Sequence, residues 1–465
     1  MVNTSIYTLG CKLNQSESEA LAESFDSRGF LVSKANDHAD LYIVNSCTVT
    51  TKAEQKARRM IRKFIRENPG AVVIVTGCYA QVEPSEIENL EDNVFVVSMD
   101  KKHTLLNLPD AIKEGKSHGL SLIEIVSDFL DDVRGRKLKA GDRFKFDNSS
   151  FTDHARAYLK IQDGCNNNCA YCRVTIARGD SVSLSLDEVV KRAVKLESVG
   201  YREIILTGVN ITDYRDPGNT DFTLPELVRA LSSALKTVRI RLSSLEPDMI
   251  DEDLADAVSH KSVVPHFHIP IQSGSNYILE KINRHYSSER VLEAVHLLRE
   301  AKDDPFIAAD LIVGLPGETE EDFEDSYNLI KKLELSQLHI FPYSPRPGTA
   351  LYAAKNRVPE RITGARTKRI RDLASGLYKK YLKRWQGQEV EVILEKFIES
   401  GSTKACLGST NKSSTDNNFW SALSENYLHV QLKGLESDES FRGKLVKCRI
   451  ISVENGIECE FIQFL

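Results

Sequence analysis

Three cysteines in one short segment constrain this chain of 465 residues more than any other feature does. Cys165, Cys169 and Cys172 stand in QDGCNNNCAYC, directly after the apolar stretch 158–161. The C-x3-C-x2-C spacing supplies three thiolates to a cubane of four irons and leaves the fourth iron without a protein ligand. Structural zinc needs four ligands, and no fourth Cys or His lies close to the triplet. The spacing therefore favours a [4Fe-4S] cluster over a zinc knuckle.

An iron without a protein ligand can hold a small molecule by its amino and carboxylate groups. Radical enzymes bind S-adenosylmethionine in this way and split it with one electron. The triplet therefore predicts S-adenosylmethionine as the cofactor that binds beside the cluster.

Positive charge is concentrated in three segments, although the net charge of the chain is −6. Segment 355–384 carries +9, segment 52–66 carries +6 and segment 134–145 carries +5, so the remaining residues carry −26. Solvated helix faces would explain any one of these segments alone. The three together favour a polyanion such as RNA as a partner, because phosphate binding depends on the local field rather than on net charge.

The composition is that of a globular protein, with 41% apolar and 28% charged residues. The length is enough for about three domains. The start MVNTSIYTLGCK does not resemble a signal peptide, and no apolar run is long enough to span a membrane. Nine cysteines without an export signal predict a cytoplasmic protein whose thiols bind metal or stay free.

Residues 1–145 predict an open parallel α/β sheet, because strand-like and helix-like stretches alternate. Three strands, SIYTLGC, LYIVNSC and AVVIVTGC, end at Cys11, Cys47 and Cys78. Helices are predicted over SESEALAESFDSRG and TVTTKAEQKARRMIRKFIRENPG. Cysteine is common in buried strands, but burial does not explain its repeated position at strand ends. Ligands gather at the carboxyl ends of parallel strands, so we predict a second [4Fe-4S] cluster here, again with an open iron.

Residues 146–354 predict an incomplete (β/α)6 barrel with its chemistry at the carboxyl ends of the strands. Segment 128–150 before it is charged, has little periodicity, and is interpreted as a linker or lid strap. The predicted strands are 157–162, 203–207, 238–242, 265–270, 307–313 and 337–341. The predicted helices are 185–199, 224–235, 248–260, 288–301 and 319–333. His266 and His268 lie on one face of a strand and are interpreted as core or pocket residues rather than a metal pair.

Residues 355–385 predict a basic helical connector, and residues 386–465 predict a small β-barrel. The runs EVEVILEKF, NYLHVQL, GKLVKCRIISV and GIECEFIQF are separated by turn residues. Such spacing indicates a five-stranded barrel of a kind that often binds oligonucleotides. Cys406, Cys448 and Cys459 lie in this region without metal spacing and are predicted to be structural or inert.

The motifs resemble one known family, the radical methylthiotransferases, over essentially the whole chain. GCKLNQSESE, VNSCTVTTKA and TGCYAQ resemble its N-terminal domain. The motifs that resemble its radical domain are LKIQDGCNNNCAYC, LTGVN, SSLEP, HIPIQSGS, LIVGLPGET and FPYSPRPGT. The tail, above all SENYLHV, resembles its TRAM-like RNA-binding barrel. Within the family, NQSESE and SCTVTTKAEQKARRMIR are most similar to the branch that acts on threonylcarbamoyladenosine in tRNA.

The resemblance implies addition of a methylthio group to C2 of N6-threonylcarbamoyladenosine at tRNA position 37. One cluster would cleave S-adenosylmethionine, and the bound radical would remove hydrogen from C2. The auxiliary cluster would present a sulfur that a second S-adenosylmethionine methylates. The implied ligands are Cys165, Cys169 and Cys172 for the first cluster, and Cys11, Cys47 and Cys78 for the second. The implied cofactor pocket contains Tyr171, Thr207, Gly208, Gln272 and Ser273.

The resemblance also implies partners and is open to alternatives. The implied partners are the tRNA anticodon stem-loop and a low-potential electron donor of flavodoxin or ferredoxin type, with the chain a monomer or weak dimer. Thr175, Asn168 and 180–182 depart from the family pattern, which puts substrate contacts in question rather than the cofactor class. Methylthiolation of isopentenyladenosine tRNA or of a ribosomal protein aspartate remains an alternative. A non-catalytic iron–sulfur RNA-binding protein is the alternative from another class.

Overall fold

The computed structural model describes residues 2–33, 38–135, 140–147, 154–399, 418–454 and 456–465. Its architecture is mixed α/β: an N-terminal parallel sheet, a central barrel-like set of parallel strands and a C-terminal closed β-barrel. The fold class predicted from the sequence is therefore confirmed. No helix among these residues has both the length and the apolar character needed to cross a membrane.

The N-terminal sheet is parallel throughout and is covered by helices on both faces. Its strands are β1 Asn3–Thr8, β2 Leu31–Ser33, β3 Leu41–Ser46, β4 Val72–Gly77 and β5 Val94–Val96, in the order β2-β1-β3-β4-β5. Its helices are α1 Lys12–Asp26, α2 Thr51–Glu67, α3 Cys78–Val82, α4 Pro84–Glu88, α5 Leu108–Ser117 and α6 Leu122–Arg134. Alternate residues of β3 and β4 enter two separate hydrophobic clusters, one on each face.

Several predicted boundaries in this region are wrong. Strands β2 and β5 are three residues each and were missed, because such short runs carry too little periodicity. Helix α1 begins at Lys12, directly after Cys11, rather than at the first serine of SESE. The predicted linker or strap over 128–150 is also incorrect at its start, since α6 continues to Arg134 with an apolar face in the core.

The central region has six principal parallel strands, as predicted. They are β6 Ala157–Lys160, β9 Glu203–Thr207, β10 Arg239–Leu242, β11 His266–Gln272, β12 Phe306–Val313 and β13 Gln337–Pro342. Two shorter strands, β7 Gln162–Asp163 and β8 Val182–Ser183, lie between β6 and β9 in the sequence. Two sheets, β6-β9-β10 and β11-β12-β13, meet through isolated parallel bridges, Ile240 with Val263 and Ser244 with His268. Short strands β7 and β8 form a separate antiparallel pair that flanks the cysteine triplet.

Helices cover the outer face of this incomplete barrel. They are α8 Leu186–Ser198, α9 Leu224–Ala234, α10 Glu252–Ser259, α11 Asn276–Lys281, α12 Ser288–Ala301 and α13 Glu320–Leu333. The short helix α7 Val174–Arg178 instead packs against α3 of the N-terminal region. The predicted helix 248–260 is shorter than expected, because a 3-10 turn at Pro247–Met249 precedes it. Phe267, Ile269 and Ala309 pack into the core beneath the helices. The alternate positions of the same strands, His268 and Asp310 among them, therefore face the barrel interior.

The C-terminal region is a long helix followed by a closed five-stranded barrel. The elements are α14 Glu360–Trp385, β14 Glu389–Ile398, β15 Phe419–Ser424, β16 His429–Lys433, β17 Leu445–Ser452 and β18 Ile457–Phe464. The barrel closes in the order β14-β15-β16-β18-β17. The sequence predicted five strands but located only four, missing β15. Cys448 and Cys459 are buried in the barrel core, whereas Cys406 lies outside the described residues.

Buried charged residues of the central strands hold the C-terminal barrel in place. Glu203 on β9 accepts hydrogen bonds from Arg239 and Arg241, with nitrogen–oxygen distances of 2.7 Å to each Nε. The two guanidinium groups then donate to main-chain carbonyls of the C-terminal barrel at 3.1–3.3 Å, namely those of Glu391, Leu423, Ser424 and Glu425. This interface fixes the orientation of the barrel relative to the central strands.

Candidate active site

The first cysteine set, Cys11, Cys47 and Cys78, lies at one edge of the N-terminal sheet. Cys11 is the N-cap of α1, Cys47 directly follows β3, and Cys78 is the first residue of α3. The preceding strands β1, β3 and β4 are neighbours, so their carboxyl ends bring the three thiols together. This set is called the auxiliary triad below.

Two glycines permit the close approach of the auxiliary triad. Gly10 has a φ of +102°, and a Cβ added there would lie 2.8 Å from the Cβ of Cys47. Gly77 has a φ of +95°, and an added Cβ would lie 2.3 Å from the carbonyl oxygen of Ser46. Only glycine fits both the left-handed backbone and the short contact. The glycines of TLGC and TGC are therefore part of the site.

The second cysteine set, Cys165, Cys169 and Cys172, lies in the loop between β7 and α7 and is called the radical triad below. The amide of Cys165 donates to the carbonyl of Gly179 at 3.1 Å. The amide of Val174 donates to the sulfur of Cys172 at 3.4 Å, and Nη1 of Arg284 donates to the sulfur of Cys169 at 3.5 Å. The loop follows β6 and β7, at the carboxyl ends of the barrel strands, as predicted.

Cys11 is exposed, but the other five cysteines of the two triads are partly or wholly buried, and burial disfavours their thiolates. Burial raises the pKa of Cys47 to about 12 and also raises that of Cys78. In the radical triad, burial raises the pKa of Cys165 to about 11 and that of Cys172 to about 12. A bound metal centre supplies the positive charge that stabilises such thiolates.

The donor set of each triad fits a cluster better than a structural zinc ion. Tetrahedral structural zinc needs four ligands, whereas each triad offers three thiols. A cubane takes three thiolates on three different irons and leaves the fourth iron open. The donor sets of both triads therefore fit [4Fe-4S] clusters.

One short helix joins the two triads. Helix α7 begins two residues after Cys172 and packs against α3, which begins at Cys78. At the end of α7, the positive charge of Arg178 opposes the rise in the pKa of the Cys78 thiol that burial causes. The radical triad and the auxiliary triad therefore both lie where the N-terminal region contacts the central region.

A buried ion network fixes this arrangement around Glu17 of α1. Glu17 accepts hydrogen bonds from Lys160 at 2.8 Å and from Arg178 at 3.2 Å, and it also pairs with Lys102. Arg178 donates to Asp163 at 2.9 Å. Burial alone would raise the pKa of Glu17, but the three cations hold it well below its usual range. The N-terminal sheet and the central strands share this network, so they form one interface.

A second group of ion pairs, centred on Glu54, also joins the N-terminal region to the central region. Glu54 at the start of α2 pairs with Arg173, which directly follows Cys172, at 3.3 Å. It also pairs with Arg346 of the FPYSPRPGT motif. Arg346 donates to the hydroxyl of Thr48 at 3.0 Å. The residues after Cys47 are therefore held against the radical triad loop.

The residues predicted for the cofactor pocket lie at strand ends or in the cluster loop. Thr207 is buried at the end of β9, and a Cβ on Gly208 would lie 2.7 Å from Oε1 of Gln162. Gln272 ends β11 with a left-handed φ of +65°. The hydroxyl of Ser273 lies 3.4 Å from that of Ser326, so it takes part in turn packing. Tyr171 lies in the cluster loop between Cys169 and Cys172, and burial raises the pKa of its hydroxyl well above the usual range.

The departures from the family pattern make local contacts. The hydroxyl of Thr175 donates to the carbonyl of Cys165 at 3.2 Å. Asn168 has a φ of +50°, a conformation that asparagine tolerates better than most residues. The amide of Ser181 donates to the side chain of Asn166 at 3.0 Å. These residues support the cluster loop instead of disrupting it.

Sequence reasoning missed three residues beside the radical triad. Arg284 pairs with Glu246 at 3.0 Å and lies 5.4 Å above the ring of Tyr286. The hydroxyl of Tyr286 donates to the carbonyl of Pro270 at 2.7 Å. The third residue, Glu246, lies in the motif SSLEP, which was its one indication in the sequence. Arg284 and Tyr286 lie in none of the motifs named above.

A polar cluster lies on the interior face of the barrel. His266 is buried and stacks at 4.1 Å on Tyr427 of the C-terminal barrel, as expected for a core residue. His268 hydrogen-bonds Ser244 at 2.7 Å and Asp310 at 3.0 Å. One ligand atom each from His268, Asp310 and His339 lies within 4.8 Å of the others. The two histidines of HFH do not form a metal pair with each other.

The chain is similar to known families and to solved structures. The chain matches the radical SAM superfamily over residues 159–330 and the family described as "Uncharacterized protein family UPF0004" over residues 3–98. The fold is similar to that of the radical S-adenosylmethionine methyltransferase TsrM from Kitasatospora setae, solved with cobalamin and a [4Fe-4S] cluster. The TM-score is 0.51 at 16% identity, over 76% of this chain and 77% of that one.

Two curated relatives cover nearly the whole chain. Threonylcarbamoyladenosine tRNA methylthiotransferase MtaB of Treponema pallidum (strain Nichols) is 37% identical over 86% of this chain and 92% of its own. MtaB of Bacillus subtilis (strain 168) is 35% identical over 97% of this chain and 94% of its own. With two cysteine triads at the contact between the N-terminal and central regions, and with relatives of this extent, the chain belongs to the MtaB-like methylthiotransferase family of radical S-adenosylmethionine enzymes.

Proposed function

We propose that this protein adds a methylthio group to C2 of N6-threonylcarbamoyladenosine at position 37 of tRNA. The observation that carries the proposal is the packing of α7, which follows the radical triad, against α3, which begins at Cys78 of the auxiliary triad. Each triad offers three thiols, which leaves one iron of a cubane open. A protein that only bound RNA would need neither open iron.

The proposed ligands of the radical cluster are Cys165, Cys169 and Cys172, and those of the auxiliary cluster are Cys11, Cys47 and Cys78. When bound, the clusters and S-adenosylmethionine supply reductive cleavage of the cofactor and transfer of a methylated sulfur. Arg284 and Val174 donate hydrogen bonds to cysteine sulfurs and so orient the radical triad. The positive charge of Arg178 favours the thiolate of Cys78 against the effect of burial. The proposed cofactor pocket is formed by Tyr171, Thr207, Gly208, Gln272 and Ser273.

The proposal includes the division of the chain and its partners. Residues 1–145 would carry the auxiliary cluster, 146–354 the radical chemistry, 355–385 a basic connector and 386–465 an RNA-binding barrel. The anticodon stem-loop is the proposed RNA contact, because position 37 adjoins the anticodon in a loop whose bases are exposed at low cost. A low-potential flavodoxin or ferredoxin would supply the electron to a monomeric or weakly dimeric enzyme.

Helix α14 supports RNA binding with only part of its charge. Four of its cations pair with acids of the central region: Arg366, Arg369, Lys380 and Arg384. Five others are exposed and form no ion pair with any described residue: Arg361, Lys368, Arg371, Lys379 and Lys383. Phosphate contacts should come from the second group, since its charges are not already neutralised.

Two double variants of α14 test this division. Replacing Lys379 and Lys383 by Gln should flatten the salt dependence of tRNA affinity by about one to two units, because each lost phosphate contact removes up to about 0.9 unit. Replacing the neighbours Lys380 and Arg384 by Gln removes the same charge, but from cations that pair with Glu334 and Asp304 at 2.5 and 3.1 Å. That variant should change the slope less. Equal slopes for both variants would contradict the assignment.

The function itself is tested with reconstituted, reduced protein and three substrates. We expect mass spectrometry to detect a methylthio group on tRNA that carries threonylcarbamoyladenosine at position 37. Reaction only with isopentenyladenosine tRNA would overturn the proposed base, and reaction only with ribosomal protein would overturn the RNA substrate. Release of 5′-deoxyadenosine in none of these conditions would support a non-catalytic binding protein.

A further inference from the structure

Two exposed segments of the central region lie directly against the cysteine loop of the radical triad. Ala170 stands between the last two cysteines of that triad. Its amide donates to the carbonyl of Ile282 at 3.0 Å, and its carbonyl accepts from the amide of Leu351 at 2.9 Å. The segments 277–282 and 351–357 are therefore bonded to the loop at one and the same residue.

Side-chain contacts join these two segments into one surface. A Cβ added to Gly317 would lie 2.3 Å from Nζ of Lys281 and 2.4 Å from Nδ2 of Asn356, so the two side chains are neighbours. The amide of Gly317 also donates to the carbonyl of Asn356 at 2.7 Å. In the second segment, Nη2 of Arg357 donates to the carbonyl of Tyr352 at 2.8 Å.

Three cations and two aromatic rings form this surface, called the loop-side surface below: Lys281, Lys355, Arg357, Tyr277 and Tyr352. Tyr277 is 59% exposed and Tyr352 is 45% exposed. Nζ of Lys281 lies 5.4 Å from the centre of the Tyr277 ring. Within the part of the chain that the structure describes, none of the three cations forms a salt bridge. Their charge is therefore available to an acidic partner.

The two ends of the cysteine loop contact different parts of the chain. Arg173, directly after the third cysteine, pairs with Glu54 of the N-terminal region at 3.3 Å, and α7 packs against α3. The main-chain bonds of Ala170 instead join the loop to the central region. The substrate base must meet the auxiliary triad, which lies in the N-terminal region. The loop-side surface is thus left to a partner that needs only the radical triad.

We propose that the loop-side surface is the docking site of an acidic, low-potential electron carrier of flavodoxin or ferredoxin type. This inference rests on the proposed function, because reductive cleavage of S-adenosylmethionine requires one external electron. The carrier is oxidised by one electron and the cluster held by the radical triad is reduced by one, with no bond or proton exchanged. Electron transfer slows steeply with distance, and Tyr352 directly follows a residue bonded to Ala170. Encounters of this kind use small surfaces and depend on charge complementarity.

The first test measures the affinity of an acidic flavodoxin for the reconstituted full-length protein. Replacing Lys355 and Arg357 by Glu should weaken binding about 10- to 100-fold at about 0.1 M salt, and the difference should shrink at about 1 M, where charges are screened within about 3 Å. The control replaces Lys236 and Lys261 by Glu. These lysines are exposed at the amino ends of β10 and β11, the opposite end of the parallel strands from the cysteine loop. The control changes net charge equally and should keep the wild-type affinity.

A second measurement separates docking from the chemistry that follows it. Release of 5′-deoxyadenosine is driven once by reduced flavodoxin and once by dithionite, which needs no docking site. The ratio of the two rates should fall about tenfold in the double Glu variant and also in Tyr352→Ala. A purely structural effect would lower both rates together. A wild-type ratio in both variants would overturn the proposal.

The remaining outcomes distinguish this inference from its alternatives. Weaker tRNA binding with unchanged flavodoxin affinity in the double Glu variant would assign the surface to RNA and overturn the docking site. Methylthiolation driven by dithionite, with a flavodoxin affinity that the variant does not alter, would refute the docking site alone. Flavodoxin binding that depends on the loop-side surface, in a protein that methylthiolates no tRNA, would leave the docking site standing and refute the proposed function.

Discussion

Removing the three cysteines of the radical triad should abolish cleavage of S-adenosylmethionine and leave about half of the iron. Anaerobically reconstituted protein should bind about eight irons as two four-iron clusters. The Ala variant of Cys165, Cys169 and Cys172 should keep about four. The Ala variant of Cys11, Cys47 and Cys78 should also keep about four irons, but should still release 5′-deoxyadenosine and transfer no sulfur. Iron analysis, electron paramagnetic resonance and product chromatography measure these differences.

The two triple variants control for each other, because each removes three thiols near the contact between the N-terminal and central regions. Replacing Cys448 and Cys459, which lie in the C-terminal barrel core, tests whether loss of any cysteine pair lowers the iron content. We expect that variant to retain all eight irons. Zinc as the sole metal in either triple variant would refute the cluster assignment.

The largest effect on stability should come from Glu17. Replacing it with Gln leaves Lys102, Lys160 and Arg178 buried with one fewer negative charge, and breaking a buried pair of this kind costs about 3–5 kcal/mol. We expect the urea midpoint of apo-protein to fall accordingly. The difference should shrink as the pH falls below about 4, since the pKa of Glu17 is depressed in the fold and its stabilising charge is lost on protonation.

Glu389 provides the matched control for Glu17. It also accepts two cations, Lys447 and Arg449 at 2.7 Å each, but on an exposed strand. Glu389→Gln should leave the urea midpoint unchanged, because exposed ion pairs contribute little. If the urea midpoint of Glu17→Gln equalled that of the wild-type protein, the network would not hold the N-terminal and central regions together.

The strand ends and the cluster loop were predictable because the sequence encodes them locally. Cys11, Cys47 and Cys78 each close an apolar run, and parallel topology then brings strand ends to one edge. The partners Glu17, Lys102, Lys160 and Arg178 could not be predicted, because their hydrogen bonds join positions 85 to 161 residues from Glu17. Nothing in the spacing of these residues indicates that contact. The same holds for Arg284, whose role follows from its distance to Cys169.

The sequence shows where positive charge is concentrated, but it does not show which of these cations are available to bind phosphate. The segment 355–384 carries +9, yet the structure divides its cations between ion pairs and exposed positions. The pairing of Arg369 with Glu320 and Glu324 depends on how α14 lies along α13. A local count cannot distinguish a cation already neutralised within the fold from one available to phosphate.

The anchoring of the C-terminal barrel has a consequence for how such proteins can diverge. Arg239 and Arg241 bind the barrel by main-chain carbonyls, including those of Leu423 and Ser424. A carbonyl is present whatever the side chain, so mutations on the barrel surface leave these bonds intact. Selection can therefore alter the exposed residues of the barrel while the barrel stays attached to the central strands. Exchange of the whole module between lineages would likewise require only a strand of the same backbone path, provided that the two arginines and Glu203 are retained.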